Sequence, residues 1–472
     1  MPLPEVIVRR GDRGAAPLPA DDVSTRFEVV VADRGPTGVP IECRSFAQVR
    51  DAVGDHTATS TLRALESYFA EGGGRAVLSR AAGPTARPAT LVLRDGTNAA
   101  VTVTSAGPGT YYHGVRVTVG TASSGSQRVT VTLNGSELVS GTVTRAAEAV
   151  DLINRSGYAS ATVTAADRWP LAAIADQPLA GGVDDAAVTD AQVVAALGAF
   201  DEDLGPGTVC APAWDSVVVL TALANHAAAN NRFARGDLGR DLDVATMRTR
   251  AQAIRELPNA RHIQLLAGWV NISVAGVTLA VPPSGVHTGR EALADRENGA
   301  GPGQPCSWSF GEYRTPVGVA RLFTRSERVA LNDAGVNVIV QDSQGAIYAE
   351  DAITAADPNR YPQYAEVSAM RVTMAIHAQA KQILRTRVMQ TIDGQGHLAA
   401  AATGDLIGIC SSWYAREALY GADASEAYAA SVVAETEAGR RPRLVGYIAL
   451  RPSPSAHTVE LTITQVAASD TI

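Results

Sequence analysis

The feature that most limits how this chain can fold is a change of composition between residues 88 and 165. Valine, threonine, glycine and serine dominate this stretch, and apolar and polar residues alternate with a period of two, which is typical of half-buried β-strands. The alternating runs cover residues 91–93, 101–103, 115–119 and 129–133. Asn134-Gly135 follows the last run and is a strong signal for a two-residue hairpin. We therefore predict a separate, mostly antiparallel β domain here.

On both sides of this stretch, helices and strands alternate along the chain. Ser45 and Gln48 form a capping box that opens a short helix, and Gly54 ends it. Further helices are predicted over residues 60–71, 189–197, 215–230 and 244–257, and strands over 27–31, 76–78, 208–211, 262–270 and 336–340. This alternation favours an α/β layer, and we interpret the β domain as an insertion that interrupts it.

The predicted fold class is α+β, with a discontinuous α/β core, an inserted antiparallel β domain and extended, strand-forming arms at both ends. The predicted parts are an N-terminal arm (1–25), the first part of the core (26–87), the inserted β domain (88–165), the second part of the core (166–340), a C-terminal domain (341–455) and a C-terminal arm (456–472). No internal repeat of about 20–50 residues is visible.

Both ends of the chain carry short strand patterns that are too isolated to build a core of their own. The apolar residues of these patterns are Val6, Ile7 and Val8 in the N-terminal arm, and Val459, Leu461 and Ile463 in the C-terminal arm. The second set alternates with polar residues, as in a half-buried strand. We predict that both arms pair with neighbouring subunits, and pairing within the same chain as an edge strand is the alternative.

Charge and composition argue against several classes of protein. The net charge is -8 and the isoelectric point is about 5.6, whereas a dedicated nucleic-acid binder normally carries a basic surface. The four cysteines form no CxxC pair, which argues against a zinc ribbon or a disulfide framework and fits a reducing compartment. No signal-peptide core and no apolar run of about 20 residues is present. We expect a soluble chain that is neither exported by the general secretory route nor inserted into a membrane.

A search for catalytic and binding motifs finds only weak candidates. Ser284 and His287 are a nucleophile and a base by type, but no GxSxG elbow supports them, and a turn after Pro282-Pro283 is the better interpretation. Asp184-Asp185 lacks the spaced ligands of a calcium loop and fits a turn before a helix. Cys210 is interpreted as a small core residue rather than a nucleophile. We predict no catalytic residue, no bound metal and no cofactor.

Five groups of motifs follow one another along the chain. They are Arg34-Gly35-Pro36 with a later strand that ends in Arg80; Gly107-Pro108-Gly109 with Tyr111 and Tyr112; Leu179-Ala180-Gly181-Gly182 with Asp184 and Asp185; Pro282-Pro283-Ser284-Gly285 with Gly289 and Asp295; and Leu331-Asn332 with Gly335-Val336-Asn337. In this order they resemble the contractile tail sheath proteins of bacteriophages and related injection machines. The C-terminal third departs more from that family, whose double arginine is reduced to Arg371.

The resemblance implies a structural protein and not an enzyme. Sheath subunits form stacked sixfold rings around an inner tail tube, and they contract when the baseplate triggers them. The implied partners are further copies of this chain, the inner tube protein, and baseplate and tail terminator proteins, without direct nucleic-acid binding. The implied location is a virion tail sheath that is assembled in the cytoplasm of a bacterial host. Both a phage and a phage-like injection particle fit these motifs.

The resemblance also implies which regions face outward and inward. The inserted β domain would lie on the outside, and the C-terminal domain would lie next to the tube. A helix predicted over residues 367–392 is basic, although the chain as a whole is acidic. The nearest acidic residue in the C-terminal direction lies just past its end. The candidates for tube contact are Arg371, Lys381, Arg385 and Arg387. A core-edge ion pair is the alternative role for Arg371.

Two other classes of function stay open at this stage. A multidomain enzyme with an accessory β domain would show a cofactor site or a perturbed catalytic cluster in a deep pocket. A receptor- or glycan-binding tail protein would expose aromatic residues on the β domain, where only Tyr111 and Tyr112 lie close together in the sequence.

Overall fold

The computed structural model describes residues 23–54, 60–165, 168–185, 187–274, 276–437 and 441–457. These residues have a mixed α/β fold with several sheets. They divide into two compact units, of which the first comprises residues 23–371 with the residues after 453, and the second comprises residues 372–453.

The elements of the first unit follow the alternation that the sequence predicts. The chain starts with β1 (Arg26–Val31), β2 (Ile41–Cys43), α1 (Phe46–Val53), α2 (Ser60–Glu71) and β3 (Ala76–Ala81). The β-rich stretch, residues 88–165, forms β4 (Pro88–Arg94), β5 (Ala99–Pro108), β6 (Val115–Val119), β7 (Gln127–Leu133), β8 (Ser136–Val143), α3 (Ala146–Asn154) and β9 (Ala159–Val163). β10 (Ile174–Pro178) follows it and pairs with β6, so the sheets of this region extend past residue 165.

The chain then returns to alternating helices and strands. They are α4 (Asp190–Leu197), β11 (Thr208–Cys210), α5 (Val217–Ala229), β12 (Phe233–Asp237), α6 (Val244–Arg255), β13 (Ile263–Ala267), β14 (Val270–Val274), β15 (Val277–Val281), α7 (Pro283–Glu297), β16 (Gly318–Val319), α8 (Arg325–Asn332), β17 (Val336–Gln341), β18 (Ile347–Ala349) and the start of α9 (Val367–Arg385). The short helix predicted after Ser45 is confirmed, because the Ser45 side chain accepts from the Gln48 N–H and α1 ends before Gly54.

An eight-stranded sheet runs through the first unit in the order β18-β17-β13-β12-β11-β1-β3-β2. The six inner strands are parallel, and the two edge strands are antiparallel to their neighbours. β1 pairs with β3 on one side and with β11 on the other. The sheet is therefore built from chain segments that lie on both sides of the β-rich stretch.

The two faces of this sheet differ in chemistry. One face is apolar, and side chains such as Phe27, Val209 and Leu265 pack there against α4, α5, α6 and α8. The other face carries charged and polar side chains on its central strands, which are buried beneath α7. Because side chains alternate along a strand, the neighbours of apolar residues on β1 and β12 are the charged ones.

The β-rich stretch forms two small sheets around a core of its own. Their strand orders are β4-β5-β9 and β10-β6-β7-β8. The valines of both sheets and the apolar side of α3 share one cluster of buried residues. The predicted hairpin at Asn134-Gly135 is confirmed: both residues have positive φ, 48° and 86°, as a tight turn between paired strands requires, and Leu133 is opposite Ser136.

Two local predictions in the first unit are wrong. The strand predicted over residues 262–270 is two strands, β13 and β14, because the chain turns at Gly268 with a φ of 98°. The turn predicted after Pro282-Pro283 is the beginning of α7, with Pro283 at its first position. Proline is favoured there because its missing N–H would have no partner within the helix.

The second unit contains the rest of α9, α10 (His397–Ala415), α11 (Ala424–Ala427), β19 (Tyr428–Glu435) and β20 (Arg443–Leu450). Its largest fully buried side chain is Trp413, whose indole N–H donates to Gln379 Oε1 at 2.8 Å. The helix predicted over residues 367–392 is shorter, since α9 ends at Arg385. Beyond that end, the Thr386 hydroxyl donates to the Ile383 carbonyl at 2.6 Å, and Met389 has a positive φ of 66°.

Candidate functional site

A layer of buried charges lies between the eight-stranded sheet and α7. It consists of Arg26 and Glu28 of β1, Arg235 and Asp237 of β12, Glu291 and Asp295 of α7, and Arg371 of α9. We name these seven residues the charged layer. Each of the seven side chains is at least nine-tenths buried, so each charge depends on protein partners in place of water.

Arg371 is held at one end of the charged layer by two carboxylates. Its Nη1 and Nη2 atoms lie 3.0 Å and 2.5 Å from the two oxygens of Asp295, a bidentate pair. Nη1 also lies 3.3 Å from Glu291 Oε1, which accepts from Arg235 at 2.5 Å. Burial alone would raise the pKa of Glu291, but Arg235 and Arg371 outweigh burial and lower it. Glu291 is therefore ionised and shared by two arginines.

The other end of the charged layer is fixed to the start of α7. Arg26 donates to Glu28 Oε2 and to the Thr288 hydroxyl, both at 2.5 Å, and to the Ser284 carbonyl at 2.9 Å. Asp237 accepts from the backbone N–H and the hydroxyl of Ser284 at 2.8 Å and 2.6 Å. A carboxylate in this position satisfies a free N–H at the helix start and is favoured by the helix dipole. Ser284 thus holds α7 on the sheet.

Burial also decides which groups of the charged layer are ionised. It raises the pKa of Glu28 to about 7 and that of Asp237 to about 6, against the opposing effect of Arg26. The charged layer contains one more carboxylate than guanidinium groups. Burial also raises the pKa of Asp295, against the effect of Arg371. A proton on Glu28, whose pKa is about 7, balances the charge of the charged layer near neutral pH.

Gly285 and Gly289 allow α7 to lie directly on α2. A Cβ atom at Gly285 would stand 2.2 Å from the Ala64 carbonyl oxygen, and one at Gly289 would stand 2.4 Å from that of Tyr68. Only a residue without a side chain permits this approach. The glycines of this motif therefore serve the packing that encloses the charged layer.

Ser284 and His287 are not arranged for nucleophilic catalysis. The Ser284 hydroxyl binds Asp237, while Nδ1 of His287 lies 3.0 Å from the Tyr313 hydroxyl. Burial lowers the pKa of His287 to about 3, so the imidazole is neutral. At 0% and 1% exposure, Ser284 and His287 have no surface that a substrate could reach.

A second buried arginine, Arg80 at the end of β3, joins the sheet to the β-rich stretch. Its guanidinium donates to the carbonyl oxygens of Ala32, Gly35 and Pro108 at 2.9, 2.8 and 2.9 Å. We name Arg80 and these three carbonyl groups the Arg80 junction. Burial lowers the pKa of Arg80, because carbonyl oxygens replace water but supply no countercharge.

Two of the motif groups found in the sequence meet at the Arg80 junction. The Gly35 N–H donates to the Tyr112 hydroxyl at 2.9 Å, and the Arg34 guanidinium lies 4.6 Å from the centre of the Tyr111 ring. A Cβ atom at Gly107 would stand 2.0 Å from the Gly35 carbonyl oxygen. Segments that are distant in sequence are therefore in direct backbone contact here.

Asp184 and Asp185 bind groups of the chain itself. Asp184 accepts from the Thr110 N–H at 3.0 Å. Asp185 accepts from the N–H and hydroxyl of Thr85 at 2.9 Å and 2.8 Å, and from the Ala187 N–H at 2.8 Å. Within the described ranges of the chain, no group of three His, Cys, Asp or Glu residues is placed to hold a metal ion.

The four cysteines, Cys43, Cys210, Cys306 and Cys410, are buried and form no disulfide. Burial raises the pKa of Cys210 to about 12 and those of Cys43 and Cys410 to about 11. These thiols are protonated, which supports the interpretation of Cys210 as a core residue. Among the helices that the structure describes, none has both the length and the apolar character needed to cross a bilayer.

The four candidates for tube contact lie in different environments. Arg371 is 2% exposed and paired with Asp295, so the alternative of a core ion pair applies and Arg371 is withdrawn as a tube-contact residue. Lys381 and Arg385 are exposed. Arg387 is half-buried, with Nε and Nη2 at 2.8 Å and 2.7 Å from Asp405 Oδ2.

The second unit displays an apolar surface on its β-hairpin. Val433 is opposite Val445 in the register of β19 and β20, and Tyr447 follows on the same face. We name these three residues the hairpin face; Tyr447 is 66% exposed. In the same unit, a groove of about 690 Å³ is lined by Leu384, Val388, Met389, Val432 and Leu444, with further residues of α9 and the hairpin.

The six arm residues predicted to pair with neighbouring subunits lie outside the described residues. These are Val6, Ile7, Val8, Val459, Leu461 and Ile463. Their pairing stays a prediction.

The charged layer is not among the sites predicted from the sequence. A signal is present at Arg26-Phe27-Glu28, at the start of the strand predicted over 27–31, and at Arg235-Gly236-Asp237, where no strand is predicted; both place charges with a period of two. The inner strands of a parallel sheet are buried on both faces, and buried charges require partners. The pattern would have predicted a buried ion-pair network without identifying its partners on α7 and α9.

The fold defined by these elements is that of contractile tail sheath proteins, which confirms the resemblance at the level of the fold. The chain is similar to the sheath tail protein of Listeria innocua, with a TM-score of 0.63 and 15% identity over 91% of this chain and 96% of that one. It is also similar to the contracted helical sheath of the anti-feeding prophage, with a TM-score of 0.55 and 15% identity over 98% and 99% of the two chains.

A third similar structure is the PVC sheath complex of an extracellular contractile injection system in its contracted state. The TM-score is 0.58 at 12% identity, and the match covers 98% of both chains. No protein-family model and no curated protein matches the sequence. The relationship is therefore carried by the three-dimensional structure and by short motifs.

Proposed function

We propose that this chain is the structural subunit of a contractile tail sheath. Subunits polymerise as stacked sixfold rings around an inner tail tube, and contraction drives the tube through a cell envelope. The observation that carries this proposal is the sheath fold, which extends over more than nine-tenths of the chain. Contraction by rotation of subunits requires rigid bodies, and the closely packed sheet with its enclosed charged layer fits that requirement.

The proposed domain organisation follows the sheet. A discontinuous core, residues 26–87 and 166–340, carries residues 88–165 as an outer β domain, to which β10 (Ile174–Pro178) also belongs through its pairing with β6. Support comes from β1, which pairs with strands from both parts of the core. The tube-proximal domain over residues 341–455 contains the compact unit 372–453.

The hairpin face and the groove beside it support the exchange of arms between subunits. Within the described residues, β19 and β20 pair only with each other. The Val432 N–H of β19 donates to the Thr403 hydroxyl at 2.9 Å, so the outer edge of β20 is the one that offers N–H and C=O groups to an added strand. Val433 and Tyr447 supply exposed apolar surface next to this edge. The alternating apolar residues at 459–463 have the pattern that such an added strand needs.

Tube contact is proposed for Lys381 and Arg385, with Arg387 at the edge. Single surface ion pairs contribute only about 0–1 kcal/mol. Repetition in every subunit along the tube multiplies the effect and makes it sensitive to salt. Replacement of Lys381 and Arg385 by Glu is expected to abolish association with the tube, and unchanged association would contradict the assignment.

The proposed subunit performs no catalysis, because the work comes from burial and strand pairing in the contracted lattice. The enzyme alternative has lost its candidate pair, since Ser284 and His287 are enclosed and bound to other residues. The receptor alternative has lost its aromatic candidates: Tyr112 is 2% exposed, and Tyr111 lies under Arg34.

The remaining partners and the location belong to the same proposal. Baseplate and tail terminator proteins contact the two ends of the sheath, and assembly takes place in the cytoplasm of a bacterial host. The buried, unpaired thiols fit a reducing compartment.

Electron microscopy of the negatively stained, purified protein tests the proposal. Tubes or stacked rings are expected, alone or after co-expression with the tube protein. A protein that stays monomeric at high concentration under both conditions would contradict it.

The hairpin face is tested by Val433→Ser combined with Tyr447→Ser. These side chains are exposed, so the folded subunit is expected to keep its unfolding midpoint while sheath assembly is lost. Tyr420→Ser is the matched control, because Tyr420 is 57% exposed in the same unit but outside the hairpin. Long sheaths built by the double variant would show that this surface does not receive an arm.

A further inference from the structure

One carboxylate binds both ends of the continuous chain that forms the first unit. Ser24, at the start of the described chain, donates from its hydroxyl to Asp295 Oδ2 at 3.0 Å. Arg371, the last residue before the second unit, binds both oxygens of Asp295. We name residues 23–26, which are the last residues of the N-terminal arm and the first residue of β1, the arm root. Asp295 therefore connects the arm root to the first turns of α9.

The two bonds share an oxygen atom. Asp295 Oδ2 accepts from Ser24 at 3.0 Å and from Arg371 Nη2 at 2.5 Å, at a site where Asp295 is 9% exposed. Because so little of Asp295 is exposed, water cannot readily replace the hydrogen bond from either donor. Both donors therefore share one acceptor, and each has a second contact: the Tyr68 hydroxyl donates to the Ser24 carbonyl at 3.0 Å, and Arg371 Nη1 lies 3.3 Å from Glu291.

The chain that leaves the second unit is fixed at the same end of α9. Ser455 donates from its N–H and its hydroxyl to the two oxygens of Glu366, at 3.2 Å and 2.7 Å. Glu366 directly precedes α9 and is five residues before Arg371, which is about 7.5 Å along a helix. Ser455, which directly precedes the C-terminal arm, is thus attached near the start of the helix that carries Arg371.

We propose that Asp295 is a positioning residue that sets the direction in which the N-terminal arm leaves the subunit. It does so by holding Ser24 and Arg371 on one carboxylate, so that the arm root and the start of α9 move as one piece. The purpose of this arrangement rests on the proposed sheath function, since an arm that links subunits must keep its direction while they rotate. The contact itself is a property of the folded subunit.

Amide exchange on the dispersed subunit tests the contact without any need for assembly. Two amides report on the arm root: that of Arg26, which donates to the Arg75 carbonyl at 3.0 Å, and that of Thr208, which donates to the Thr25 carbonyl at 2.8 Å. The Val367 amide, which donates to the Ala352 carbonyl at 2.9 Å, reports on the start of α9.

Three variants separate the two bonds. Ser24→Ala is expected to speed exchange at the arm root by about fivefold, the effect of one ordinary hydrogen bond, and to leave the start of α9 unchanged. Asp295→Asn is expected to speed exchange at both places. Asp405→Asn is the matched control, since it also breaks a carboxylate–arginine contact, with Arg387, and neither place should respond.

The proposal is overturned if Ser24→Ala leaves exchange at the arm root unchanged, or if Asp295→Asn affects only the start of α9. Should Asp295→Asn fail to fold, Ser24→Ala and the conservative Ser24→Thr decide the question, because Thr keeps the hydroxyl and should restore the original exchange rate. Sheath formation by Ser24→Ala is then compared with the original chain. Failure of the original chain to form sheaths would refute the proposed function and leave the exchange result standing.

Discussion

The charged layer and the Arg80 junction are two buried sites in which arginine holds distant parts of the chain together, and they do so by different means. In the charged layer, Arg371 binds the carboxylates of Asp295 and Glu291. At the Arg80 junction, the guanidinium binds carbonyl oxygens. One site is a set of compensating charges, and the other is a single cation surrounded by dipoles.

The difference determines what each site responds to. Removing one member of a buried ion pair leaves a charge without a partner, which costs more than the pair itself contributes. Removing a cation from carbonyl groups leaves neutral acceptors, whose loss of hydrogen bonds costs about 1–3 kcal/mol each at most. The charged layer should therefore depend on pH, and the Arg80 junction should not.

The largest effect is expected for Arg371→Ala. Asp295 and Glu291 lose a shared cation while they stay buried, so the free energy of unfolding should fall by about 3–5 kcal/mol. Urea unfolding at neutral pH measures this change. A loss below about 1 kcal/mol would mean that Arg371 contributes no more than a surface ion pair does. The proposed difference between the charged layer and the Arg80 junction would then be wrong.

The pH dependence of Glu28 is the next largest effect. Its pKa is raised from 4.5 to about 7 in the folded state, so the folded protein holds this proton more tightly than the unfolded chain does. The resulting stabilisation is complete below about pH 4.5 and is lost as the pH rises through about 7. The free energy of unfolding is expected to fall by about 3 kcal/mol, because each unit by which the pKa is raised corresponds to about 1.4 kcal/mol.

Comparison of the original chain with Glu28→Gln isolates this contribution. The difference in the free energy of unfolding between the two proteins should change by about 3 kcal/mol between pH 4.5 and pH 8, since the variant has no proton to lose. Titrating groups other than Asp237, whose charge raises the pKa of Glu28, behave alike in both proteins and cancel. A difference that is constant over this range would show that Glu28 does not titrate there.

Arg80→Lys is expected to cost about 1–2 kcal/mol, because an ammonium group lacks the planar spread of donors that reaches three carbonyl groups. This loss should be the same from pH 5 to pH 8, in contrast to that of Glu28→Gln. Urea unfolding across this range checks both statements. A cost that varies with pH would show that a titrating group takes part in the Arg80 junction.

The smallest effect is expected for Tyr112→Phe. The substitution removes the hydroxyl that accepts from the Gly35 N–H and leaves the ring in place, so the cost should be about 1 kcal/mol. Thermal unfolding measures this as a small shift in Tm. A larger loss would indicate that the Tyr112 hydroxyl also orders the loop around Arg34.

Several parts of the fold could be predicted from local patterns. Alternation with a period of two located the strands of the β-rich stretch, and Asn134-Gly135 located a hairpin. The capping box at Ser45 located α1. These signals are local, because each depends on residues that are close in sequence.

The candidate site was much less predictable. The motif Pro283-Ser284-Gly285 was assigned to a turn, although it begins α7, because two prolines favour a turn as well as a helix start. For Arg371 the sequence leaves two roles open, tube contact and a core-edge ion pair, and only its burial beside Asp295 decides for the second. Helical periodicity does not show which side of a helix faces a partner that is distant in sequence.

The sequence by itself determined the types and the order of most elements, the change of composition that marks the β-rich stretch, and the motifs that resemble sheath proteins. The tertiary structure alone decided that these motifs meet. Arg80 contacts Pro108 across 28 residues, Arg371 contacts Asp295 across 76, and Arg26 contacts Ser284 across 258. Such contacts depend on the order of the strands in the sheet and on which helix covers them. The spacing of residues within a short segment of sequence specifies neither.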